Sequence, residues 1–301
     1  MSNRRETNNW HRREFLMNIN TIQCDNLSKS YGTFELSNIS FSISKGQVVG
    51  LVGENGAGKT TLINLLLNKI KRDTGEITIF GKDLLSNEMD IKQKLGVVLD
   101  DSFLPNEFSV KEIQSFMKMI YSEWNSKEYY KYIDLFELPV EQKIGNFSKG
   151  MKRKLDIAVA LSHEAKLLIF DEVTNGLDIV AQKMILDVLK DSLLKRDVAI
   201  LLSTHNIIEL KGIVNDIIML NCGKISSIED KKSLTENYFI VEAEDNQFLE
   251  IKKQYCVERA INENGSVRIL LDKRKNRVNY KEYKCRHAEL EEVIYMKIKG
   301  E

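Results

Sequence analysis

The sequence lacks any apolar stretch long enough to cross a bilayer, which would need about 20 consecutive apolar residues. Its longest apolar runs, among them 167–170 and 198–202, have only the length of single strands and end at polar residues. The first 16 residues carry four arginines but no apolar core, so they do not have the pattern of a secretory signal. We expect residues 1–16 to form a disordered extension.

Cysteine is scarce, and positive charge is not in excess. The four cysteines, Cys24, Cys222, Cys256 and Cys285, lie far apart without a C-x-x-C pair, which is typical of reduced, unreactive thiols in a cytosolic protein. Lys and Arg together number 44, and so do Asp and Glu. A general polyanion binder needs an excess of positive charge to face phosphates, so no nucleic-acid partner is expected.

The pattern of apolar residues predicts an α/β fold. Apolar and polar residues alternate between residues 19 and 43, which is typical of half-buried antiparallel strands. The continuous apolar run 48–52 indicates a strand buried on both faces of a parallel sheet. Aromatic and charged residues at helical spacing predict an inserted helical subdomain at 103–146. Strands and helices alternate again from residue 167 to 220, as in a mostly parallel sheet flanked by helices.

A glycine-rich loop fits the pattern G-x-x-x-x-G-K-[ST] and follows the strand predicted at 48–52. Its members are Gly53, Glu54, Asn55, Gly56, Ala57, Gly58, Lys59 and Thr60. Glycine permits the backbone conformations that bring N–H groups to phosphate oxygens, and the following helix directs the positive end of its dipole at the same anion. Lys59 should reach the β- and γ-phosphates, and Thr60 should offer its hydroxyl to Mg²⁺. We also count Thr61 among the nucleotide contacts.

Two carboxylates end a second candidate strand. The apolar run 167–170 leads directly into Asp171 and Glu172. In a parallel sheet, ligands bind at the carboxyl ends of the strands. Asp171 suits a direct or water-mediated contact with Mg²⁺, and Glu172 is placed to polarise an attacking water. The loop and the acids together predict a P-loop NTPase, a class that includes kinases and GTPases as well as other ATPases.

Four further segments distinguish between these classes. Residues 147–151 read Phe-Ser-Lys-Gly-Met, residues 175–178 read Asn-Gly-Leu-Asp, and residues 203–205 read Ser-Thr-His after an apolar strand. Tyr31 lies in Lys-Ser-Tyr-Gly near the start. In this order and spacing they resemble the signature sequence, the D-loop, the switch histidine and the adenine-stacking aromatic of ABC transporter ATP-binding subunits. The resemblance covers residues 19–228, and no internal repeat is visible, so we predict a single nucleotide-binding module.

The resemblance implies an ATPase that uses ATP with Mg²⁺ and works as a pair of modules. Ser148 and the backbone at Gly150 would donate hydrogen bonds to the γ-phosphate held by the opposite module. His205 would align that phosphate and the attacking water with Glu172, and Tyr31 would stack on adenine. The pair would be a homodimer or a heterodimer with a related ATPase, and transport would run through separate integral membrane permease subunits. The chain would then be cytoplasmic, attached through those subunits to the inner face of the membrane.

The sequence departs from the family pattern at four positions. Lys149 replaces the first signature glycine, Met151 the usual glutamine, and Val173 the proline that commonly follows the catalytic glutamate. Asp100 stands where the family has a glutamine that contacts Mg²⁺. An aspartate can also bind metal directly or through water, but it is shorter and adds a charge. We therefore predict a metal or water contact for Asp100, with a solvated loop carboxylate as the alternative.

Short segments narrow the predicted function to export. Residues 148–151 and 290–293 resemble exporter-type bacterial ABC subunits of the antibiotic-resistance and ABC-2 groups. The alternative is a soluble ABC ATPase that acts on ribosomes or nucleic acid, which the single module and the lack of a heptad insertion disfavour. The predicted P-loop NTPase domain spans 17–228, with a mostly parallel core, an antiparallel β subdomain and the helical subdomain at about 100–156. A small C-terminal accessory region follows at 229–301.

Overall fold

The computed structural model describes residues 20–195, 197–205, 211–263, 265–277 and 283–300. The extension predicted at 1–16 lies outside these described residues. The chain divides into two compact units. The first contains the residues up to Val48 together with Thr60–Ser203, and the second contains Val49–Lys59 together with the residues from Thr204 onward.

The described residues form the following strands and α-helices, each type numbered along the chain. The strands are β1 (Ile22–Ser30), β2 (Glu35–Ile43), β3 (Val48–Val52), β4 (Thr74–Ile79), β5 (Lys82–Asp83), β6 (Leu95–Val98), β7 (Leu167–Asp171), β8 (Ala199–Thr204), β9 (Asp216–Asn221), β10 (Lys224–Asp230), β11 (Tyr238–Glu244), β12 (Val257–Glu263), β13 (Ser266–Asp272) and β14 (Lys284–His287). The α-helices are α1 (Lys59–Leu66), α2 (Glu88–Lys92), α3 (Val110–Ile120), α4 (Ser126–Leu135), α5 (Lys149–Leu161), α6 (Ile179–Lys195), α7 (Lys231–Glu236), α8 (Asp245–Gln254) and α9 (Leu290–Lys299). No helix among these residues is both long enough and apolar enough to span a membrane.

The first unit contains an antiparallel sheet and three parallel strands. The antiparallel sheet has the order β2-β1-β4-β5, and buried and exposed residues alternate along β2 from Ile39 to Ile43. Strand β7 lies between β6 and β8 and runs parallel to both, with Asp171 opposite Ser203. Every residue of β7 and β8 is buried, as expected for strands whose side chains are covered on both faces.

The predicted helical insertion is present in the first unit. Helix α3 begins with a capping box, in which Ser109 accepts a hydrogen bond from the N–H of Glu112 and the Glu112 carboxylate accepts one from the N–H of Ser109. Helix α5 begins after Ser148, whose hydroxyl oxygen accepts a hydrogen bond from the N–H of Met151 at 3.2 Å. The signature segment is therefore the amino-terminal end of a helix.

The second unit contains strand β3 and the C-terminal third of the chain. Strand β3 pairs in parallel with β9, so that Val52 lies opposite Met219, and β10 pairs antiparallel with β9. The C-terminal sheet is antiparallel with the order β12-β13-β11-β14. Its own hydrophobic core contains residues of β11 and β13 together with Ile251 of α8. The predicted accessory region is thus a sheet with its own packed interior rather than an extended tail.

Candidate active site

The phosphate loop follows β3 in the second unit. Gly56 and Gly58 have φ values of 83° and 107°, a region of backbone space that strongly favours glycine. Lys59 is only 6% exposed, and its Nζ donates hydrogen bonds to the carbonyl oxygens of Gly53 at 2.7 Å and Glu54 at 3.2 Å. The ammonium group therefore lies over the loop. Bound phosphates could compete for it there.

Close backbone contacts fix both ends of the phosphate loop. A Cβ atom on Gly53 would lie 2.4 Å from the carbonyl oxygen of Leu220, so no larger residue fits at this position. At the other end, the N–H of Gly223 donates a hydrogen bond to the carbonyl oxygen of Ala57 at 3.0 Å. Within the loop Glu54, Asn55 and Gly56 are exposed, whereas Ala57, Gly58 and Lys59 are buried. Thr60 is exposed and Thr61 is partly buried, so the surface of this segment is formed by Thr60 together with the exposed middle of the loop.

Ser203 of β8 contacts both acidic residues at the end of β7, the first through its carboxylate and the second through its backbone N–H. Asp171 is 2% exposed and accepts a hydrogen bond from the Ser203 hydroxyl. The N–H of Glu172 donates to the hydroxyl oxygen of the same serine at 3.2 Å. Glu172 has a φ of 52°, which is uncommon for a residue with a side chain and is maintained only by fixed neighbours. Ser203 therefore positions both acids, a role that the sequence did not assign to it.

His205 lies in a bend directly after β8, in the second unit. Its side chain is exposed, while the two residues before it, Ser203 and Thr204, are buried. The strand thus places a histidine at the surface at its carboxyl end. The pairing of His205 with a phosphate stays a prediction.

The signature residues lie at the start of α5 in the first unit. Ser148 is exposed, so its hydroxyl is open to a ligand from outside the chain while it caps the helix. A Cβ atom on Gly150 would approach the Leu177 side chain to 3.3 Å, a tight distance that favours a small residue. The positive end of the α5 dipole adds to this anion-attracting surface.

Asp100 is held by the signature helix. Arg153 is 2% exposed, and its guanidinium donates hydrogen bonds to the carbonyl oxygen of Leu99 and, at 2.9 Å, to that of Asp100. The Asp100 carboxylate lies 3.1 Å from the Arg153 guanidinium and 3.4 Å from the Lys149 ammonium. The departures from the family pattern at Asp100 and Lys149 are therefore paired with each other. The sequence analysis assigned no role to Arg153, because the carbonyl groups that it contacts lie 54 and 53 residues away along the chain.

A polar groove of about 460 Å³ adjoins this ion pair. Asp156 lies in its wall, and the Ser102 hydroxyl donates a hydrogen bond to the Asp156 carboxylate at 2.7 Å. Burial raises the pKa of Asp156 to about 6. Three carboxylates, Asp100, Asp101 and Asp156, face three cations of α5, Lys149, Lys152 and Arg153, around this groove.

Tyr31 lies in the turn between β1 and β2 with 50% of its surface exposed. The N–H of Tyr31 donates to the carbonyl oxygen of Phe34 at 2.8 Å, and Gly32 supplies a positive φ of 74° to the turn. The ammonium of Lys29 lies 5.5 Å from the centre of the ring. A half-exposed ring held by a fixed turn is suited to stacking on a planar base.

The donor atoms in the first unit fit a hard cation such as Mg²⁺. Mg²⁺ is usually bound by one or two protein oxygens, with phosphate and water oxygens completing its shell. The exposed Thr60 hydroxyl and the Asp171 carboxylate are oxygen donors of this kind. The described residues contain no group of three or more His, Cys, Asp or Glu side chains arranged to hold a metal by themselves.

Comparisons with known proteins show what the chain is similar to. The chain matches the ABC transporter family over residues 36–175. It is 31% identical to the ABC transporter ATP-binding protein NatA of Bacillus subtilis, over 67% of this chain and 87% of that protein. It is also 31% identical to the bacitracin transport ATP-binding protein BcrA of Bacillus licheniformis, over 68% of each chain. Its fold is similar to a solved ATP-binding subunit of an ABC transporter, with a TM-score of 0.66, 26% identity, and coverage of 71% of this chain and 91% of the other.

Proposed function

The chain belongs to the ABC transporter family and is one of its ATP-binding, ATP-hydrolysing subunits; on that premise we propose the site that performs the chemistry and the partners on which it acts. ATP binds with Mg²⁺, a pair of modules closes around it, and hydrolysis by Glu172 opens the pair again. This cycle drives export through separate integral membrane subunits. Support for transport, rather than for action on ribosomes or nucleic acid, comes from the transporter names of both relatives.

The observation that carries the proposal is the fixed position of Glu172. Its backbone is held in a left-handed conformation by Ser203, and its side chain follows directly after the buried Asp171. A general base must be held within reach of the water that it activates, and positioning supplies much of the rate in phosphoryl transfer. Glu172 is therefore the residue that orients the attacking water.

The remaining residues bind and neutralise the triphosphate. Lys59, the N–H groups of the phosphate loop and the amino-terminal end of α1 contact the β- and γ-phosphates, and Tyr31 stacks on the base. Mg²⁺, held by Thr60 and Asp171, supplies charge neutralisation to the phosphate oxygens when it is bound. His205 holds the γ-phosphate in line with the water, and the exposed Ser148 with Gly150 completes the site of the opposite module.

An apolar groove in the first unit suits the membrane partner. The groove has a volume of about 310 Å³ and contains Leu95, Val97, Leu99 and Tyr121 in its wall. Phe103 also lines it with 69% of its surface exposed, and the Lys69 ammonium lies 4.3 Å from that ring. A short amphipathic helix from a cytoplasmic loop of the permease would cover these apolar side chains. The groove reaches Leu99, whose neighbour Asp100 contacts the signature helix, so docking and the site are linked through adjacent residues.

The hydrolytic role is tested with two variants. Glu172→Gln should lower the ATPase rate about 10²- to 10⁴-fold while ATP affinity stays within a few-fold of the wild type. Lys59→Ala should lose affinity for ATP itself. Glu123→Gln, at an exposed position in the turn between α3 and α4, is the matched control and should keep the wild-type rate. Rapid turnover by Glu172→Gln would remove Glu172 from the chemistry.

The partner is tested by purification from membranes. Phe103→Ser should reduce recovery of an integral membrane subunit with the chain, because it removes the exposed aromatic of the groove. Leu135→Ser, at another exposed apolar position, should leave that recovery unchanged. Equal recovery with both variants would place the docking surface elsewhere.

A further inference from the structure

The last turn of α9 contacts the phosphate loop. The Lys299 ammonium forms an ion pair with the carboxylate of Glu54, the second residue of the loop. The side chains are 51% and 44% exposed, so each remains accessible while they are paired. The contact joins the end of the C-terminal region to the segment predicted to bind phosphates.

The end of β9 connects the same two segments. The carbonyl oxygen of Leu220 lies against Gly53, as described above. The side chain of the next residue, Asn221, donates a hydrogen bond to the carbonyl oxygen of Ile298 at 3.3 Å. The phosphate loop and the end of α9 therefore contact consecutive residues of one strand, and Lys299 spans the distance between them.

A buried lysine fixes α9 in this position. Lys297 is 8% exposed, and its ammonium lies 2.8 Å from the carboxylate of Glu229 in β10 and 3.4 Å from that of Glu258 in β12. The same ammonium lies 4.8 Å from the centre of the Tyr238 ring in β11. A buried cation persists when it is paired in this way. Helix α9 is thus anchored both to the strand beside β9 and to the C-terminal sheet.

Glu54 contributes its backbone as well as its charge to the loop. Its carbonyl oxygen accepts hydrogen bonds from the Lys59 ammonium at 3.2 Å and from the N–H of Ala57 at 3.1 Å. Holding its side chain therefore restrains the backbone that positions Lys59. The Lys299 ammonium also balances a carboxylate that would otherwise repel the phosphates of a bound nucleotide.

We propose that Lys299 is a positioning residue for the phosphate loop, and that through Lys299 and α9 the C-terminal sheet contributes to the affinity of the chain for ATP. This inference rests on the proposed function, since it assumes that the loop binds the phosphates of ATP. It assigns a role to the region after residue 229: any partner that moves α9 changes nucleotide binding at the loop.

The test compares single and double variants of the full chain. Affinity is measured with trinitrophenyl-ATP, and KM and kcat are measured for ATP with Mg²⁺. Lys299→Met should raise Kd and KM about two- to fivefold, the size expected for one half-exposed ion pair, with little change in kcat. Lys299→Arg keeps the cation and should restore affinity. Lys253→Met, at the exposed end of α8, is the matched control and should match the wild type.

The decisive comparison is made in the Glu54→Gln background. Adding Lys299→Met there should have no further effect, because the carboxylate that Lys299 holds is already gone. The same loss of affinity in both backgrounds would overturn the inference, since Lys299 would then act only as a distant charge. Unchanged affinity in Lys299→Met would also overturn it. If instead the wild-type chain bound no ATP, the proposed function itself would fail.

Discussion

The buried guanidinium of Arg153 holds the segment at Asp100. It donates hydrogen bonds to the Asp100 carbonyl oxygen at 2.9 Å and to the Asp100 carboxylate at 3.1 Å. Arg153 lies in α5, which begins at the predicted phosphate contact Ser148. Asp100 follows β6 in sequence, and its neighbour Leu99 lines the apolar groove. Direct contacts therefore join the segment after β6 to the first turns of α5.

Arg153→Met should uncouple these two segments. We expect the free energy of unfolding to fall by about 1 to 3 kcal/mol, because the substitution leaves carbonyl groups of residues 99 and 100 without their donor. The ATPase kcat should fall while the KM for ATP stays within about twofold of the wild type, since Lys59 and the phosphate loop are untouched. Lys154→Met on the same helix is the control. A raised KM with unchanged kcat would contradict this role.

Asp100→Gln tests the metal contact predicted for Asp100. The carboxylate is paired with Arg153 and Lys149, so a neutral side chain should leave ATP hydrolysis similar or faster at saturating Mg²⁺. If Asp100 contacts Mg²⁺ only through water, the Mg²⁺ concentration for half-maximal activity should change by only a few-fold. Complete loss of activity would show that the charge of Asp100 is essential.

Tyr31→Ala should weaken ATP binding about tenfold, because stacking of a base on an aromatic ring contributes about 1 to 3 kcal/mol. Tyr31→Phe retains the ring and should bind ATP as the wild type does. Calorimetric titration of both variants measures the difference. Equal affinity of Tyr31→Ala and the wild type would assign the half-exposed ring to packing.

Asp156 should make stability depend on pH. Burial raises its pKa in the folded state from the ordinary 3.8 to about 6, so the folded chain binds more protons than the unfolded chain between these values. Its contribution to stability is therefore present at low pH and is lost as the pH rises through about 6. Relative to the wild type, Asp156→Asn should gain about 2 to 3 kcal/mol between pH 4 and pH 7.5.

Urea unfolding of the two chains at both pH values measures this difference. Asp187→Asn, at an exposed position of α6, is the control for the removal of one carboxylate. A wild-type stability that varies with pH in parallel with that of Asp156→Asn would show that Asp156 titrates normally in the folded chain.

The core of the fold could be predicted because local pattern and burial agree there. The runs 48–52 and 167–170 are continuous, and the structure shows strands β3 and β7 at these places, buried throughout. The P-loop NTPase class and the family could be predicted from the order and spacing of the motifs. The glycine-rich loop was predictable for the same reason, since Gly53, Gly56 and Gly58 are required by close contact or by φ.

The features that the sequence did not predict depend on contacts between residues distant in sequence. In the sequence Arg153 is one of three consecutive basic residues and resembles a surface residue of a helix. In the structure its guanidinium is buried against carbonyl groups 53 and 54 residues away. For the C-terminal region the sequence predicted only a small accessory region, whereas its described residues form four strands in one sheet. Strands β12 and β14 carry too few buried apolar residues to give an alternating signal. The contact of Lys299 with Glu54 leaves no trace in the local pattern at all.

The central claim is that ATP bound by one module is completed by Ser148 of another. Native mass spectrometry of the Glu172→Gln chain, isolated from the cells that produce it and kept in ATP with Mg²⁺, tests this most directly. We predict that the 34.7 kDa chain is recovered with a second ATPase module, its own copy or a related one, and with two ATP molecules, and that the pair dissociates when ATP is removed. A 34.7 kDa chain that carries ATP but remains single under these conditions would contradict the account.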